Sequence, residues 1–382
     1  MLNVTFYDIL YNMNKIYKTL NSGRAVFFMM VFICCIIAIT VLKLAATVIL
    51  PFTIAALLAF VMFPLIKGFD KIHCPRIISI LLVLAIIVTG LYILWMVLYT
   101  SGRMIAEHMP SYEMRFQIIY NQVADIFDLP KDDDQSVWQV LWGQEGIRSF
   151  VRDFAISSSN IFFRFLSGAV LVVLFVVFIL AESAIFKNKL ITAFEDRIER
   201  INNMGNEIIS QVSRYLTAKF LISLANGIIF AAGFSLVGLD FAIVWGVIQF
   251  LLNFIPTLGS ITAGVIISFF ALIQFWPEPG PIIIVLAIIL GVNLLCNIFD
   301  PKIIGDHVGI SPLVILVSLS LWGYIWGFAG MVLAVPMTVI IKIIAENVPI
   351  MEPVSILIGT KKSVLTKKSS LEKKTASEKQ EN

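Results

Sequence analysis

The chain has 382 residues, of which 59% are hydrophobic and 14% are charged, and its formal net charge is +3. Soluble domains average about 45–50% apolar and about 25% charged residues, so the composition excludes an ordinary soluble protein. Backbone groups in lipid must be hydrogen-bonded within the membrane-spanning structure, and the apolar runs here lack the period-two alternation of a β-barrel. The composition therefore predicts transmembrane helices.

Long stretches without Asp, Glu, Lys or Arg recur along the chain. A helix needs about 20 apolar residues to cross a hydrocarbon core of roughly 30 Å, and most of these stretches are close to that length. We therefore predict an all-α, polytopic membrane protein with about eight transmembrane helices. The uncharged runs are 25–42, 44–66, 77–102, 165–181, 220–239, 241–277, 279–299 and 307–341.

The chain begins with apolar side chains at three- and four-residue spacing and with lysines nearby. This pattern predicts an amphipathic helix over 1–24 that lies in the membrane interface. Lys and Arg mark the cytoplasmic side of a membrane protein, so this helix is expected on that side. Residues 25–102 then predict three transmembrane helices, the first two forming a hairpin separated at Lys43.

A more polar segment follows the third predicted span. Residues 103–153 hold five basic and nine acidic residues, a balance of −4 that favours the extracytoplasmic side. Apolar residues at helical spacing over 112–127 predict that 103–160 is an extracytoplasmic amphipathic helical segment. Two interpretations stay open for 112–127: a helix that packs on the membrane or on neighbours, or a helix that gates or caps a translocation path.

The C-terminal half is predicted to carry the transport core, over 161–345, with a cytoplasmic amphipathic helix at 186–215. The runs 241–277 and 307–341 are each too long for one helix, and Gly and Pro interrupt both. We therefore predict broken helices or tight, re-entrant helical hairpins there. The tail over 346–382 is predicted to be basic, disordered and cytoplasmic, so both termini of this multi-pass protein are expected in the cytoplasm.

Motifs of soluble enzymes are absent from the sequence: it has no HExxH, GxSxG or phosphate-binding loop. Its three histidines lie far apart in the sequence, near predicted membrane boundaries. We therefore expect no enzymatic activity, no metal site, no cofactor and no nucleic-acid partner.

Polar residues within the apolar runs are the candidate functional residues, because polar groups in a membrane usually face a bundle interior or a water-filled path. Asn293, Asn297 and Asp300 are spaced four and three apart and so share one helix face. Gln249 and Asn253 form a second pair, and each set precedes a helix breaker. The predicted path residues are Gln249, Asn253, Asn293, Asn297, Asp300 and Lys302. The predicted breaks and hinges are Pro256, Gly259, Pro301, Gly305, Gly309, Pro312, Gly323, Gly327, Gly330 and Pro336.

A structural interpretation of these residues stays open beside the functional one. The amides could form hydrogen bonds between helices. Asp300 could pair with Lys302 at the membrane edge. The glycines after 320 could permit close helix packing and not act as a gating hinge.

The C-terminal half contains NFIPTLGSITAG at 253–264 and FDPKIIGDHVGISPLVILVSLSLWGYIWGFAGMVLAVPMT at 299–338. These two stretches resemble the autoinducer-2 exporter family of bacterial membrane proteins. The order of spans over 25–345 is also similar. Asp300 departs from the family pattern, which often carries Glu or Gln before the proline. The resemblance implies a homo-oligomeric transporter in the bacterial cytoplasmic membrane.

The leading hypothesis is a secondary transporter or exporter of a small polar solute, an autoinducer-2-like signal by family resemblance, driven by an H+ or Na+ gradient or by facilitated diffusion. One alternative is a sodium or potassium/proton antiporter, with Asp300 as the titrating carboxylate. The other is a non-transporting membrane scaffold that binds partners or anionic lipid through its amphipathic segments and basic tail.

Overall fold

A computed structural model describes residues 23–70, 75–127, 166–183, 198–303 and 309–360, with residues 185, 189, 192 and 193. These residues are almost entirely helical. The helices are α1 Gly23–Leu44, α2 Ala46–Asp70, α3 Arg76–Phe127, α4 Leu166–Ser183, α5 Ile198–Val237, α6 Ala242–Leu252, α7 Leu258–Phe275, α8 Pro279–Ile303, α9 Pro312–Asn347 and α10 Glu352–Ile358, with a 3-10 turn at Pro349–Met351.

Seven helices of the described part of the chain are long and apolar enough to cross a membrane: α2, α3, α4, α5, α7, α8 and α9. In all of these helices except α9, at most a third of the apolar stretch is buried, and no described apolar residue of Ile78–Val97 in α3 is buried. Soluble monomers rarely expose such extended apolar faces, whereas lipid tails cover them. The prediction of an all-α, polytopic membrane protein is therefore confirmed.

Helices α6 and α7 form the first predicted hairpin. The helix breaks after Leu252 and resumes at Leu258. At the open end, the Gln274 side chain accepts a hydrogen bond from the Asp240 backbone N–H (2.8 Å) and donates one to the Gly238 carbonyl (2.9 Å). The hairpin therefore enters and leaves the bundle at the same end, as predicted for a re-entrant element.

Helix α9 is the second hairpin, because its backbone leaves the helical region at Trp326 and Gly327. The Ser318 hydroxyl donates to the Ala334 carbonyl at 3.0 Å, across 16 residues that would span about 24 Å of a straight helix. The two arms of α9 are therefore antiparallel. The prediction of broken helical hairpins in the C-terminal half is confirmed.

The two hairpins enter from opposite ends of α5, a helix of 40 residues and therefore about 60 Å long. The α6/α7 hairpin opens beside Val237, at the end of α5. The Arg200 guanidinium, at the start of α5, donates to the Asn347 carbonyl at the base of α9. Ile255, at the α6/α7 tip, belongs to the same buried cluster as Trp322 and other α9 residues, so the two hairpins meet inside the bundle.

Some boundaries differ from the sequence expectations. Helical hydrogen bonds run from Ala45 N to Val41 O and from Ile49 N to Ala45 O, both at 2.9 Å, so no loop at Lys43 reverses the chain between α1 and α2. Residues 103–127 continue α3, and 198–215 are the first half of α5. The predicted tail is structured at its start, because α10 packs near the base of α9 through an Ile310–Gly359 β-bridge.

Several predictions fall on residues outside the described structure. These are most of the N-terminal amphipathic helix, residues 128–160 of the polar segment, most of 186–197, Gly305 and the tail beyond residue 360.

Candidate functional site

Helices α5 and α6 approach each other through glycines. A Cβ at Gly246 would lie 2.5 Å from the Gly227 carbonyl oxygen and 2.7 Å from the Ala231 Cβ, and a Cβ at Gly227 would lie 2.8 Å from the Gly246 oxygen. Small residues permit such close helix contact in membrane proteins. This contact fixes the antiparallel register of α5 and α6 and brings their polar side chains to one level.

Asn253 joins three helices at the hairpin tip. Its Nδ2 donates to Ser223 Oγ of α5 at 3.0 Å, and its Oδ1 accepts from Ser260 Oγ of α7 at 3.2 Å. The side chain is 2% exposed. Gly259 permits this tight tip, because a Cβ there would clash with the Leu252 carbonyl.

Gln249 lies one helical turn before Asn253 and is fully buried, with 0% exposure. Neither its Oε1 nor its Nε2 has a hydrogen-bond partner among the described residues. The register set by the Ser223–Asn253 and Gly227–Gly246 contacts places Asn226 of α5 opposite Gln249. Both side chains therefore point toward the same part of the helix interface.

Helix α8 adds a third side to this cluster. Cys296 Sγ donates to Asn226 Oδ1 at 3.2 Å, while the Nδ2 of Asn226 is buried without a partner in the described structure. Asn293 lies next to Gly264 of α7, where a Cβ would be 3.9 Å from its Nδ2. Its Oδ1 is also buried and unpaired within the described part of the chain. We call the set Ser223, Asn226, Gln249, Asn253, Ser260, Asn293 and Cys296 the amide cluster.

The amide cluster lies well inside the helical bundle, measured from the end of α5. Asn226 is eleven residues before Val237, where α5 ends. At about 1.5 Å per residue this is about 16 Å along the helix, against a hydrocarbon core of roughly 30 Å.

The unpaired atoms define what the cluster can bind. Gln249 Nε2 and Asn226 Nδ2 are donors, and Gln249 Oε1 and Asn293 Oδ1 are acceptors. Leaving such a group buried and unsatisfied costs about 1–3 kcal/mol. Water or a small neutral solute with hydroxyl groups, which both donate and accept, would satisfy them. A cation would use only the acceptor oxygens of this set and would leave its two amide donors unpaired.

Three of the predicted path residues, Gln249, Asn253 and Asn293, lie in the amide cluster. Asn297, Asp300, Pro301 and Lys302 lie on the last turns of α8, and their side chains are outside the described structure. Helix α8 continues to Ile303, so Pro301 lies in its last turn and not beyond its end.

Most of the remaining predicted break residues shape the α9 hairpin or its base. Gly327 has φ +61° at the turn, and Gly309 has φ +57° before the helix. A Cβ at Gly323 would lie 2.9 Å from Met331 Cγ, and one at Gly330 would clash with the Trp322 carbonyl. Pro312 opens the first arm, Pro336 is buried in the second arm, and Pro256 lies at the α6/α7 tip.

Four members of the amide cluster were not predicted: Ser223, Asn226, Ser260 and Cys296. Ser223 and Asn226 are three residues apart within the uncharged run 220–239, so they share a helix face. The spacing rule that selected Asn293 and Asn297 also applies to this pair and could have found it.

Sequence comparisons identify what the chain is similar to. A sequence model described as "AI-2E family transporter" matches residues 27–350. The AI-2 transport protein TqsA of Escherichia coli K12 is 28% identical over 327 residues, covering 83% of this chain and 91% of that protein. Two proteins named "Putative transport protein" are each 29% identical, over 334 residues in Borreliella burgdorferi and 335 in Haemophilus influenzae. These alignments cover 86% and 85% of this chain, and 90% and 93% of the relatives.

Proposed function

Because the chain belongs to the AI-2E family of transporters, and is therefore a multi-pass membrane transporter, we propose that it moves its small polar solute through the amide cluster. In this proposal the solute binds Gln249, Asn253, Asn293 and Asn226 among helices α5 to α8. Asn297, Asp300 and Lys302 extend the path along α8. The α6/α7 break at Pro256 and Gly259 and the glycines of α9 shape it.

The observation that carries this proposal is the burial of Gln249 without hydrogen-bond partners in the described structure. A fully buried amide whose oxygen and nitrogen are both unpaired in the described structure is unfavourable for folding alone. Polar groups deep in a membrane protein generally serve a path or a binding site. Many secondary transporters bind their solutes near the bilayer midplane at discontinuous helices, which is the local setting of Gln249 and Asn253.

For the solute, we propose a neutral, hydroxylated molecule of the AI-2 class, moved outward. The name of the E. coli relative gives AI-2 as what that protein transports. Independently, the paired donors and acceptors of the amide cluster suit hydroxyl groups better than an ion. We further propose a homo-oligomer in the bacterial cytoplasmic membrane, with both termini cytoplasmic and with H+ or Na+ as the coupling ion.

The antiporter and scaffold alternatives are not proposed further. The matching family and the names of the relatives concern transport, and they give no support to sodium/proton antiport. No described member of the amide cluster is acidic.

Flux through purified protein tests the proposal. The protein is reconstituted into liposomes loaded with labelled AI-2, and efflux is measured for Gln249→Met and for Gln117→Met, a matched change at an exposed glutamine of α3. We expect efflux to fall at least about tenfold in Gln249→Met and to be unchanged in Gln117→Met. Full efflux in Gln249→Met, at equal protein content, would show that the path lies elsewhere.

A further inference from the structure

The central amides of the amide cluster are shut off from water in this conformation, whereas Ser260, Asn293 and Cys296 are half-buried. Gln249 is 0% exposed, Asn253 2% and Asn226 5%. A solute can therefore reach these side chains only after part of the bundle moves. This reasoning rests on the proposed function, and it requires a contact that holds the bundle closed and can be released.

Helix α3 supplies such contacts through its second half. Its apolar stretch ends at Val97, and the helix then continues to Phe127. We call residues 103–127 the α3 extension. While no described apolar residue of that stretch is buried, Tyr112 in the extension is only 8% exposed. The extension is therefore where α3 packs most closely on the helices of the C-terminal half.

Three side-chain hydrogen bonds connect the α3 extension to both ends of the α6/α7 hairpin. Tyr112 Oη donates to Asp240 Oδ2 at 2.5 Å, before α6 begins. The Arg115 guanidinium donates to the Gln274 carbonyl near the end of α7. Trp276 Nε1, just after α7, donates to Gln122 Oε1 at 2.5 Å.

Aromatic packing reinforces the first of these contacts. The Tyr112 ring lies 5.1 Å from the Phe270 ring and 6.0 Å from the Phe241 ring, centroid to centroid. His108 meets Phe241 edge to face at 5.8 Å. Such ring pairs add stabilisation beyond that of the apolar area they bury. The extension therefore contacts both the start of α6 and the end of α7.

Helix α3 also connects two parts of the fold. Ile80 and Ile87, in its apolar stretch, pack on a buried cluster formed by α2 and α4. Phe270 and Phe241 border a different buried cluster, formed by α5 to α8. The α3 extension therefore ties the helices that carry the amide cluster to the N-terminal helices.

We propose that the α3 extension is a latch: its hydrogen bonds to Asp240, Gln274 and Trp276 hold the α5–α8 unit closed over the amide cluster, and their release admits solute at that end. Tyr112 is the central residue of this latch. It acts on transport by positioning the hairpin, without touching the solute.

The Tyr112 contact is suited to hold at ordinary pH. Burial and the hydrogen bond to the Asp240 carboxylate raise the pKa of the Tyr112 phenol above its ordinary value, so the phenol stays protonated and donates. A hydrogen bond from a hydroxyl to a charged acceptor is roughly twice as strong as one between neutral groups.

Cys296 provides a readout that needs no solute, because its Sγ lies 3.2 Å from Asn226 Oδ1 within the amide cluster. The full-length protein, carrying Cys34→Ala, Cys35→Ala and Cys74→Ser, is placed in lipid nanodiscs. The rate at which a charged, membrane-impermeant maleimide labels Cys296 is then measured. Cys296 is half-buried in this conformation, so the change in this rate between variants, and not the rate itself, reports how water access to the cluster changes.

Tyr112→Phe keeps the ring and removes only the donor, and Asp240→Asn weakens the acceptor. We expect each to raise the labelling rate about tenfold, and the double variant to be no faster than the singles, because the two residues form one contact. The matched control is Tyr92→Phe, a lipid-exposed tyrosine on the same helix, which should label at the parent rate.

Labelling at the parent rate in both Tyr112→Phe and Asp240→Asn would overturn the latch. So would independent, multiplicative effects in the double variant, because a shared contact predicts coupling. Size-exclusion chromatography and thermal unfolding are used to check that each variant is folded. If Gln249→Met lost efflux while these labelling rates stayed unchanged, the amide path would stand and the latch alone would fall. If Tyr112→Phe and Asp240→Asn labelled faster while Gln249→Met kept full efflux, the latch would stand and the amide path would fall.

Discussion

Replacing Gln249 with methionine is expected to stabilise the folded protein while it removes transport. Gln249 is fully buried, and both of its amide atoms lack partners in the described structure. A buried, unsatisfied polar group costs about 1–3 kcal/mol, whereas methionine has a similar length and fills apolar space without polar demands. We therefore expect the free energy of unfolding to rise by about 1–3 kcal/mol.

Thermal unfolding of the purified protein, followed by tryptophan fluorescence, measures this effect. One kcal/mol shifts the Tm of a domain of 150–250 residues by about 2–4 °C, so a rise of a few degrees is expected. Gln117→Met is the matched control, since a change at an exposed position is usually within about 0.5 kcal/mol of neutral.

A loss of stability in Gln249→Met would refute the reasoning. A destabilisation above about 1 kcal/mol would mean that the amide is well satisfied in the folded protein, for example by ordered water, and that it supports the fold. Opposite signs for stability and flux are what a binding residue predicts, because function retains a group that folding alone disfavours.

Three further outcomes follow from the geometry. Asn226→Leu should lower AI-2 efflux from proteoliposomes at least about tenfold. The control Asn206→Leu, on the exposed face of the same helix, should leave efflux intact. Equal efflux in both variants would show that Asn226 is not part of the path. Gly246→Ala should lower the unfolding free energy by about 1–3 kcal/mol, since its Cβ would lie 2.5 Å from the Gly227 oxygen; a neutral result in thermal unfolding would contradict this close contact. Gly327→Ala should lower the free energy of unfolding by about 1–3 kcal/mol, because the backbone angles φ +61° and ψ −139° suit glycine alone. An unchanged Tm would contradict the turn at Gly327.

Sequence reasoning predicted the hairpins because their signal is local. A charge-free run nearly twice the length of one span must fold back or re-enter, and Gly and Pro show where it breaks. The pair Gln249 and Asn253 was accessible for the same reason, since four-residue spacing places both on one helix face.

The α5–α6 register and the length of α3 could not be predicted from the sequence, because both depend on contacts between distant segments. The α5–α6 register follows from the Gly227–Gly246 contact, which nothing within either helix specifies. The length of α3 was missed because the uncharged run 77–102 ends at Arg103, yet the helix continues to Phe127. The contacts of Tyr112 with residues more than 100 positions away support that continuation.

The two hairpins differ in how firmly they are held, and this decides which one is expected to move. The α9 arms are joined by Ser318, which bonds Ala334 and Thr338 at 3.0 and 2.5 Å, and Trp326 Nε1 donates to the Leu42 carbonyl at 3.0 Å. The α6/α7 hairpin is bonded through Asn253 at its tip and Gln274 at its open end, but it adjoins amide atoms without partners in the described structure. Its open end is also held by bonds from the α3 extension. Regions with weaker local stabilisation open first. Motion of the α6/α7 hairpin against a fixed α9 would expose Gln249 from the end that carries Asp240, which is the end that Tyr112 closes.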